Sequence, residues 1–500
     1  MSKEVNNVVI AGGGTAGWMA AAALAKLVAR PLSITLVESE DIGTVGVGEA
    51  TIPSILTINR MLKIPEPDFI KLTSGTFKLG IKFENWRRQG ESYIHSFGDT
   101  GKGSWAAGFH HFWLKGKEAG IDHDYGDYCA ELKAAEQEKF AITSQRPLNY
   151  AYHLDAAKYA QYLRSMAEAH GVKRVEGKIT SVTTDEDGYI TSLDINDGVD
   201  HIEGDFFIDC TGFRALLSGD ALGVAYDDWT HWLPANRAWA VQSELNEPPK
   251  PYTRSIAHTV GWQWRIPLQH RAGNGLVYSS EFMTEEDARA LLVRNVNDRL
   301  LTDPRPIRFT TGQRAKYWEK NCVALGLASG FIEPLESTSI HMIQNGIMWL
   351  LLMFPDTNIE GSTVNEYNQR IRSEAEYIRD FIVLHYTVNE RHGEPFWDYC
   401  RNMALPESLS HRIELFTRTG RIFQAQDDIF TENSWVQVLL GQGITPQSYH
   451  NITDSLTTPQ LEEFLLGIRN EVNQTVSGLP AHGDFIRSLV RHAEHHASRT

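Results

Sequence analysis

The chain has 500 residues, too many for one ordinary hydrophobic core, so we expect two or three sub-domains. Its formal net charge is -16, whereas contacts to nucleic-acid phosphates need a positively charged surface. The charge therefore argues against a nucleic-acid-binding protein. The four cysteines show no CxxC and no metal-ligand spacing, and we find neither a signal peptide nor a long apolar run. These features predict a cytoplasmic protein with reduced thiols and no membrane span.

The first elements along the chain predict a βαβ unit. Residues 7–11 form a short apolar strand, and the glycine-rich turn GGGTAGW follows at residues 12–18. An alanine-rich helix then continues to about Val28, and residues 33–38 form a second strand. A GxGxxG turn between two strands, with an acid at the end of the second strand, is typical of a nucleotide-binding fold.

Each residue type in this turn has a physical reason. The first glycine permits the tight turn, the second lets the backbone approach a pyrophosphate, and the third lets helix and strand pack closely. The free N–H groups at the helix N-terminus can bind the phosphates, and the acid can bond the ribose hydroxyls. The predicted nucleotide contacts are Gly12, Gly13, Gly14, Thr15, Ala16, Gly17, Trp18 and Glu38.

Later segments extend this α/β pattern. Residues 205–210 and 322–327 are apolar strands that end in glycine-bearing turns, as expected where strands of a doubly wound sheet meet a cofactor. From about residue 360 the pattern becomes helical, for example over residues 366–384. We therefore predict a discontinuous core over residues 1–360, with insertions near 61–150 and 220–310. A helical region, residues 361–500, is predicted to cover the substrate site.

Eight segments, in chain order, resemble the flavin-dependent halogenases of the tryptophan-halogenase type. They are GGGTAGW (12–18), GVGEATIP (46–53), FKLGIKF (77–83), HSFG (95–98), FIDCTGF (207–213), WQWRIP (262–267), PLEST (334–338) and FIVLHY (381–386). The resemblance runs from residue 7 to about residue 400. The Trp-x-Trp-x-Ile-Pro motif is the specific one, because wider flavin monooxygenases share only the GxGxxG fingerprint. The fold it implies is a Rossmann-like, GR2-type FAD-binding domain.

The resemblance also implies a reaction. Reduced FAD, supplied by a separate flavin reductase, forms a flavin hydroperoxide with dioxygen, and bromide or chloride converts this to hypohalous acid. The acid travels through a tunnel to a lysine and halogenates an electron-rich ring. By resemblance that lysine is Lys78, with Lys82 as the weaker candidate, and Glu336 stabilises the cationic ring and accepts its proton. A helix-capping role for residues 336–338 is the alternative, and both roles can hold.

Further site residues come from the same resemblance. Halide is expected at the backbone amides of Thr338 and Ser339, although the family usually has glycine at the second position, which leaves the halide preference open. Trp262 and Trp264 are interpreted as core packing that also keeps the flavin from hydroxylating the substrate. Expected flavin contacts are Glu49, Ala50, Leu327, Ile340 and, as a weaker match in a strand interpreted as apolar, Ile179. Expected substrate neighbours are Ile52, Pro53, His95, Phe97 and Phe430.

The resemblance breaks down in residues 417–430. The family's adjacent tyrosine pair is missing, Ala425 falls near the position of its acid, and only Ile429 and Phe430 keep the apolar character. Because the zwitterionic end of tryptophan would have no partner here, we expect a compact indole-like substrate. His110 and His111 have no third ligand at a characteristic spacing, so no metal site is predicted.

Two other functions remain open from the sequence. A flavin monooxygenase that transfers oxygen directly would share the fingerprint without needing Lys78, PLEST or WxWxIP. A non-catalytic flavin carrier would not need a lysine and a carboxylate remote from the flavin. No second GxGxxG is visible for NAD(P)H, which favours a separate reductase, and a homodimer is left open.

Overall fold

The computed structural model describes residues 4–41, 49–355 and 358–497. Its strands are, in chain order, β1 Asn7–Ala11, β2 Ser33–Glu38, β3 Glu49–Ala50, β4 Thr76–Lys78, β5 Gly80–Glu84, β6 Ser92–Ser96, β7 Ala151–Leu154, β8 Lys173–Glu176, β9 Ile179–Thr184, β10 Ile190–Ile195, β11 Asp200–Glu203, β12 Phe206–Asp209, β13 Tyr226–Asp228, β14 Arg237–Ser243, β15 Thr253–Ala257, β16 Trp262–Pro267, β17 Ala272–Tyr278, β18 Arg305–Arg308, β19 Gly312–Arg314, β20 Trp318–Glu319, β21 Cys322–Ala324 and β22 Gly330–Phe331.

The α-helices are α1 Thr15–Leu27, α2 Ile55–Met61, α3 Glu66–Leu72, α4 Phe109–Glu118, α5 Ala130–Glu136, α6 Ala156–Ala169, α7 Glu285–Asn295, α8 Ser339–Leu352, α9 Gly361–Thr387, α10 Pro395–Asn402, α11 Glu407–Thr419, α12 Glu432–Gly441, α13 Thr458–Ser477 and α14 His482–Ala497. Helices thus follow one another from residue 361 onward, as the sequence predicts. Among the described residues, no helix is long and apolar enough to cross a membrane.

The first of two compact units carries the predicted α/β fold. It is built from Met1–Gly75, Leu154–Thr230 and Arg308–Glu376. Its main sheet has the order β20-β21-β12-β1-β2-β8, and every neighbouring pair from β21 to β8 is parallel. The central strands β1 and β12 are buried along almost their whole length, as expected for parallel strands covered on both faces. The fold prediction is confirmed.

The order of this sheet predicts a ligand-binding crevice at the end of β1. One neighbour of β1 is β2, the next strand in the chain, and the other is β12, which begins almost 200 residues after β1. Strand order therefore reverses at β1. In open α/β sheets a ligand binds outside the carboxyl ends of the strands at such a point. The glycine-rich turn follows β1 directly and so lies at this position.

The second unit is built around a mostly antiparallel sheet. It comprises Thr76–His153, His231–Ile307 and Tyr377–Thr500, and the sheet has the order β18-β14-β17-β16-β15-β5-β6. Strand β16 carries both tryptophans of the Trp-x-Trp motif, and both are buried. The ring of Trp264 lies over Gly275 of β17, where a Cβ would be 2.0 Å from a ring carbon. Strands β4 and β7 pair separately and antiparallel.

One local prediction is wrong. Ile179 was expected in an apolar strand, but β9, with the sequence ITSVTT, pairs antiparallel with β10 and is largely exposed. Only Ile179 and Val182 are half-buried, because serine and threonine occupy the remaining positions. The strand is therefore amphipathic, and it packs one edge against the core of the first unit.

Candidate active site

The glycine-rich turn has the geometry that a diphosphate requires. Gly12 has a φ of +104°, and a Cβ there would lie 2.2 Å from the Cys210 carbonyl oxygen. A Cβ on Gly17 would lie 1.9 Å from the Gly12 carbonyl oxygen, so helix and strand could not pack as closely. A Cβ on Gly14, by contrast, would meet nothing within 4 Å. The space beside Gly14 at the N-terminus of α1 is therefore open, as the predicted pyrophosphate contact requires.

Glu38 lies against this turn. Its Oε2 would be 1.6 Å from a Cβ on Gly13, and the same oxygen accepts a hydrogen bond from Trp18 Nε1 at 3.2 Å. Its other oxygen, Oε1, accepts from Arg174 Nε at 2.5 Å. Arg174 on β8 was missed by the sequence analysis, because no local pattern links it to Glu38. The ribose contact of Glu38 stays a prediction, with this arginine as a competing partner.

Other predicted flavin contacts also belong to the first unit. Glu49 and Ala50 form β3, and burial raises the pKa of the Glu49 carboxyl to about 7. Leu327 lies in the 3₁₀ turn Gly326–Ala328 that follows β21, and Ile340 is buried in the first turn of α8. Residues 46–48 of the GVGEATIP motif lie outside the described residues. Ile52 and Pro53, expected near the substrate, precede α2 and are half-buried.

The PLEST segment forms a strained turn before α8. Pro334–Glu336 is a 3₁₀ turn in which the Glu336 side chain is buried, at 1% exposure. Ser337 follows with a φ of +61°, a left-handed conformation that a residue with a side chain rarely adopts. Thr338 stands at the cap position of α8, but no side-chain capping bond forms in the described region. Thr338 therefore does not cap α8 through its side chain, and a capping role for Glu336 or Ser337 stays a prediction.

The hydroxyl of Thr338 is a donor without an acceptor. Its Oγ1 is buried, and it has no hydrogen-bond partner among the described residues. A buried hydroxyl in this state costs free energy unless a ligand satisfies it. Ser339, the next residue, is half-buried and begins α8. A helix N-terminus with an adjacent free hydroxyl is a suitable place for an anion.

Lys78 is fully buried in the second unit. It lies at the end of β4 with 0% exposure, and its Nζ is 5.1 Å from the centre of the Phe97 ring. Lys82, four residues later on β5, is only half-buried. Burial, and after it the charge of Lys78, lowers the pKa of His153 well below its ordinary value. The buried ammonium therefore has an aromatic ring and a neutral imidazole in its surroundings.

The strand that carries Lys78 is held by the C-terminal helix. The backbone N–H of Phe77 donates to His482 Nε2 at 3.1 Å, and His482 Nδ1 lies 2.7 Å from the Pro249 carbonyl oxygen, to which it donates. Burial lowers the pKa of His482 to about 4, consistent with a neutral ring that accepts at Nε2. No local sequence pattern links Phe77 to His482, because the two residues are 405 positions apart.

The predicted substrate neighbours of the second unit fall into two groups. Phe97 lies beside Lys78, as described above. His95 is buried on β6, with its ring 5.4 Å from that of Phe381, and Phe381 stacks on Phe430 at 3.8 Å. Phe381 belongs to the FIVLHY motif but was not singled out as a site residue. The structure therefore brings His95 and Phe430 together through a ring that the sequence analysis missed.

Asp428, two residues before Phe430, is a buried carboxylate that is already engaged. Its Oδ2 accepts from Arg412 at 2.7 Å, and its Oδ1 accepts from the backbone N–H of Phe430 at 3.0 Å. The Arg412 guanidinium in turn lies 4.1 Å from the centre of the Trp435 ring. This carboxylate therefore holds the loop before α12 in place.

The histidine-rich stretch on α4 is a packed cluster. His110 Nε2 lies 2.6 Å from the Gly420 carbonyl oxygen, and His111 Nδ1 accepts from the backbone N–H of His450 at 3.1 Å. Burial lowers the pKa of His110 to about 4. No group of three or more His, Cys, Asp or Glu side chains suited to a metal ion occurs in the described part of the chain.

Comparison with known proteins identifies the family. The family model described as tryptophan halogenase matches residues 7–458. Xcc4156, a flavin-dependent halogenase from Xanthomonas campestris, is 53% identical with a TM-score of 0.96, covering 97% of this chain and 99% of its own. BrvH, a flavin-dependent halogenase from Brevundimonas sp. BAL3, is 42% identical with a TM-score of 0.93 and the same coverage.

A curated relative gives the same assignment. The tryptophan 6-halogenase ThaL from Streptomyces albogriseolus is 31% identical over 532 residues, which cover 98% of this chain and 99% of the relative. The enzyme prediction is confirmed, as are the predicted FADH2, separate reductase and halide. The chain belongs to the tryptophan halogenase family and is a flavin-dependent halogenase that acts on an aromatic substrate.

Proposed function

We propose that this enzyme halogenates a compact, electron-rich, indole-like ring by handing hypohalous acid to Lys78. The observation that carries the proposal is the complete burial of Lys78. Taking an ammonium group out of water is costly, and such lysines are retained where a reaction needs them. Hypohalous acid is small and unselective, so a lysine that hydrogen-bonds it in a water-poor site supplies the selectivity that the reagent lacks.

Bound FADH2 would supply the reaction with dioxygen that oxidises halide. The residues that would hold it are Gly12, Gly14 and the first N–H groups of α1, with Glu49 from β3. The open space at Gly14 supports this assignment. Halide would bind at the amides of Thr338 and Ser339, and the unsatisfied hydroxyl of Thr338 supports an anion there.

Glu336 is proposed to stabilise the cationic ring and to accept its proton. A carboxylate acts best on such a cation when water is excluded, and the burial of Glu336 supports this role. Glu333, which is also buried, is proposed to be structural. The residues proposed to surround the substrate remain Ile52, Pro53, His95, Phe97 and Phe430.

The proposal of an indole-like substrate rests on residues 417–430. A zwitterion that enters a partly desolvated site must replace its bonds to water with bonds to protein. Asp428 is committed to Arg412 and to the Phe430 backbone, so this carboxylate does not remain for an ammonium group. Phe430, stacked on Phe381, presents an apolar surface that suits a ring without charged substituents.

Product analysis tests the function. Wild-type enzyme is supplied with a flavin reductase, NADH and FAD, and a panel of indoles and phenols is analysed by mass spectrometry with bromide and chloride in competition. A halogenated product supports the proposal, whereas a hydroxylated product or none contradicts it.

Parallel kinetics test the substrate class. We expect kcat/KM for indole to exceed that for free tryptophan by about tenfold or more, since an unmatched buried charge costs several kcal/mol. A clearly higher kcat/KM for tryptophan would show that residues 417–430 do cradle an amino acid. A homodimer, a cytoplasmic location and the domain boundaries stay predictions from the sequence.

A further inference from the structure

Three side chains of the first unit form a hydrogen-bonded chain that neither the motifs nor the proposed mechanism uses. Ser54 Oγ lies 2.8 Å from His341 Nδ1, and His341 Nε2 lies 2.9 Å from Glu374 Oε1. Ser54 stands just before α2, His341 lies in the first turn of α8, and Glu374 lies on α9. We call this arrangement the Glu374–His341–Ser54 relay.

Two further bonds reinforce the relay. Gln344 Nε2 donates to the Ser54 carbonyl oxygen at 2.8 Å, and the Asn345 side-chain amide donates to Glu374 Oε2. Positions 341, 344 and 345 are three and four residues apart, so they share one face of α8. This face therefore holds both the hydroxyl and the carbonyl of Ser54.

The hydrogen bonds define the state of the imidazole. A carboxylate only accepts, so Nε2 carries the proton that it donates to Glu374. In the neutral ring Nδ1 then accepts from the Ser54 hydroxyl. The side chains of His341 and Glu374 are 11% and 12% exposed, so water competes little for these bonds. A carboxylate behind a histidine fixes both its tautomer and its ring plane.

The relay joins two segments to which the proposed function gives separate roles. Ser54 directly follows Ile52 and Pro53, and it ends the segment that begins with Glu49, a proposed flavin contact. His341 comes two residues after Ser339, whose amide is a proposed halide donor. A displacement of Ser54 would therefore move residues 49–53 relative to the N-terminus of α8.

We propose that the Glu374–His341–Ser54 relay positions residues 49–54 against the first turn of α8, with His341 as the positioning residue. The inference deepens the proposed function and rests on it for the halide site. The relay sets halide affinity and the fraction of turnovers that yield halogenated product instead of hydrogen peroxide. His341 needs no contact with substrate or flavin for this role.

A matched set of substitutions separates the two hydrogen bonds of His341, one to Ser54 and one to Glu374. In His341→Asn the side-chain amide falls near the position of Nδ1 and can keep the bond to Ser54. In His341→Gln the amide falls near the position of Nε2 and can keep only the bond to Glu374. His341→Leu removes both hydrogen bonds. His170→Leu, which changes an exposed histidine at the end of α6, is the control.

The measurements include two that need no turnover. Hydrogen exchange of residues 49–61 in the FAD-free protein and the Kd of FAD report the position of the segment. The bromide KM and the ratio of halogenated product to hydrogen peroxide report the site. We expect His341→Leu and His341→Gln to exchange faster over residues 49–61, to raise the bromide KM about fivefold and to lower the product ratio. His341→Asn and the control should stay close to wild type.

Several outcomes would overturn the proposal. One is a His341→Leu enzyme with wild-type exchange, FAD Kd and bromide KM. Another is a lower kcat with unchanged KM and product ratio, which would show only a loss of folded protein. A third is rescue by His341→Gln but not by His341→Asn. If wild-type enzyme gives no halogenated product, the proposed function fails. The positioning role of His341 is then tested by hydrogen exchange of residues 49–61 and by the Kd of FAD alone.

Discussion

The two units of this enzyme present their chemistry in different ways. In the first unit the proposed binding groups are mostly backbone N–H groups, at Gly14 before α1 and at Thr338 and Ser339 where α8 begins. In the second unit the proposed group is a side chain, Lys78, which is buried beside an aromatic ring and a histidine of lowered pKa.

This difference decides how each part tolerates change. A backbone donor survives substitution of its own side chain, so Ser339 can replace the glycine usual in the family. A buried ammonium group depends on its surroundings, since burial favours the neutral form of a lysine and any added cation increases that effect. The neutral histidines around β4 therefore matter to Lys78 because they add no positive charge, whereas the turn before α1 depends on the absence of a side chain at Gly12 and Gly17.

The largest effect should come from Lys78→Ala. We expect halogenation to fall about a hundredfold or more, because the lysine acts on hypohalous acid directly. The Kd of FAD should stay unchanged, since the proposed flavin contacts belong to the first unit. Turnover by mass spectrometry and FAD binding by fluorescence provide the two measurements.

Lys82→Ala is the matched control, since Lys82 lies four residues later and is half-buried. It should retain most of the activity. Near-normal regioselective product from Lys78→Ala would contradict the assignment, and loss of product from Lys82→Ala alone would transfer the role to Lys82.

The two units should also differ in how their stability changes at acidic pH. Burial lowers the pKa of both His110 and His482 to about 4, from an ordinary value of 6.5. The folded state therefore binds fewer protons than the unfolded state between these values. The stabilisation from each neutral histidine is complete above pH 6.5, and it is lost as the pH falls from 6.5 towards 4. At pH values below both pKa values, each histidine has lowered the free energy of unfolding by about 3 kcal/mol.

Hydrogen exchange by segment tests this pH dependence. Between pH 6.5 and 4.5, protection should fall more around β4 and α4 than around β1 and α1. His482→Gln should flatten the dependence at β4, because an amide oxygen can still accept from Phe77 but does not titrate. Equal loss of protection in both units, or an unchanged slope in this variant, would contradict the explanation.

The sequence predicts the parts of this enzyme that short segments encode. The structure confirms the βαβ unit, the strands near residues 205 and 322 and the helices after residue 361. These elements could be predicted because the spacing of apolar residues and of glycines is a local signal. The left-handed Ser337 was missed, since it breaks the preference for glycine at such a position. Other misses involve partners far apart along the chain, namely Arg174 with Glu38, His482 with Phe77 and Ser54 with His341.

The smallest effect should come from Thr338→Val, which tests whether backbone donors alone hold the halide. The Thr338 hydroxyl is buried without a partner in the described chain, and Thr311, also in the first unit, is buried in the same state. Valine has nearly the shape of threonine, so both substitutions remove a hydroxyl without opening a cavity.

If halide satisfies the Thr338 hydroxyl, Thr338→Val should raise the bromide KM about fivefold, the worth of one hydrogen bond of about 1 kcal/mol. Thr311→Val should leave the bromide KM unchanged, because its hydroxyl has no proposed ligand. Both variants should unfold at or above the wild-type temperature, since each loses an unsatisfied polar group. An equal KM for the two variants would mean that the backbone amides bind halide without help from the side chain. The contrast between the units would then be sharper, with the first unit relying on its backbone donors alone.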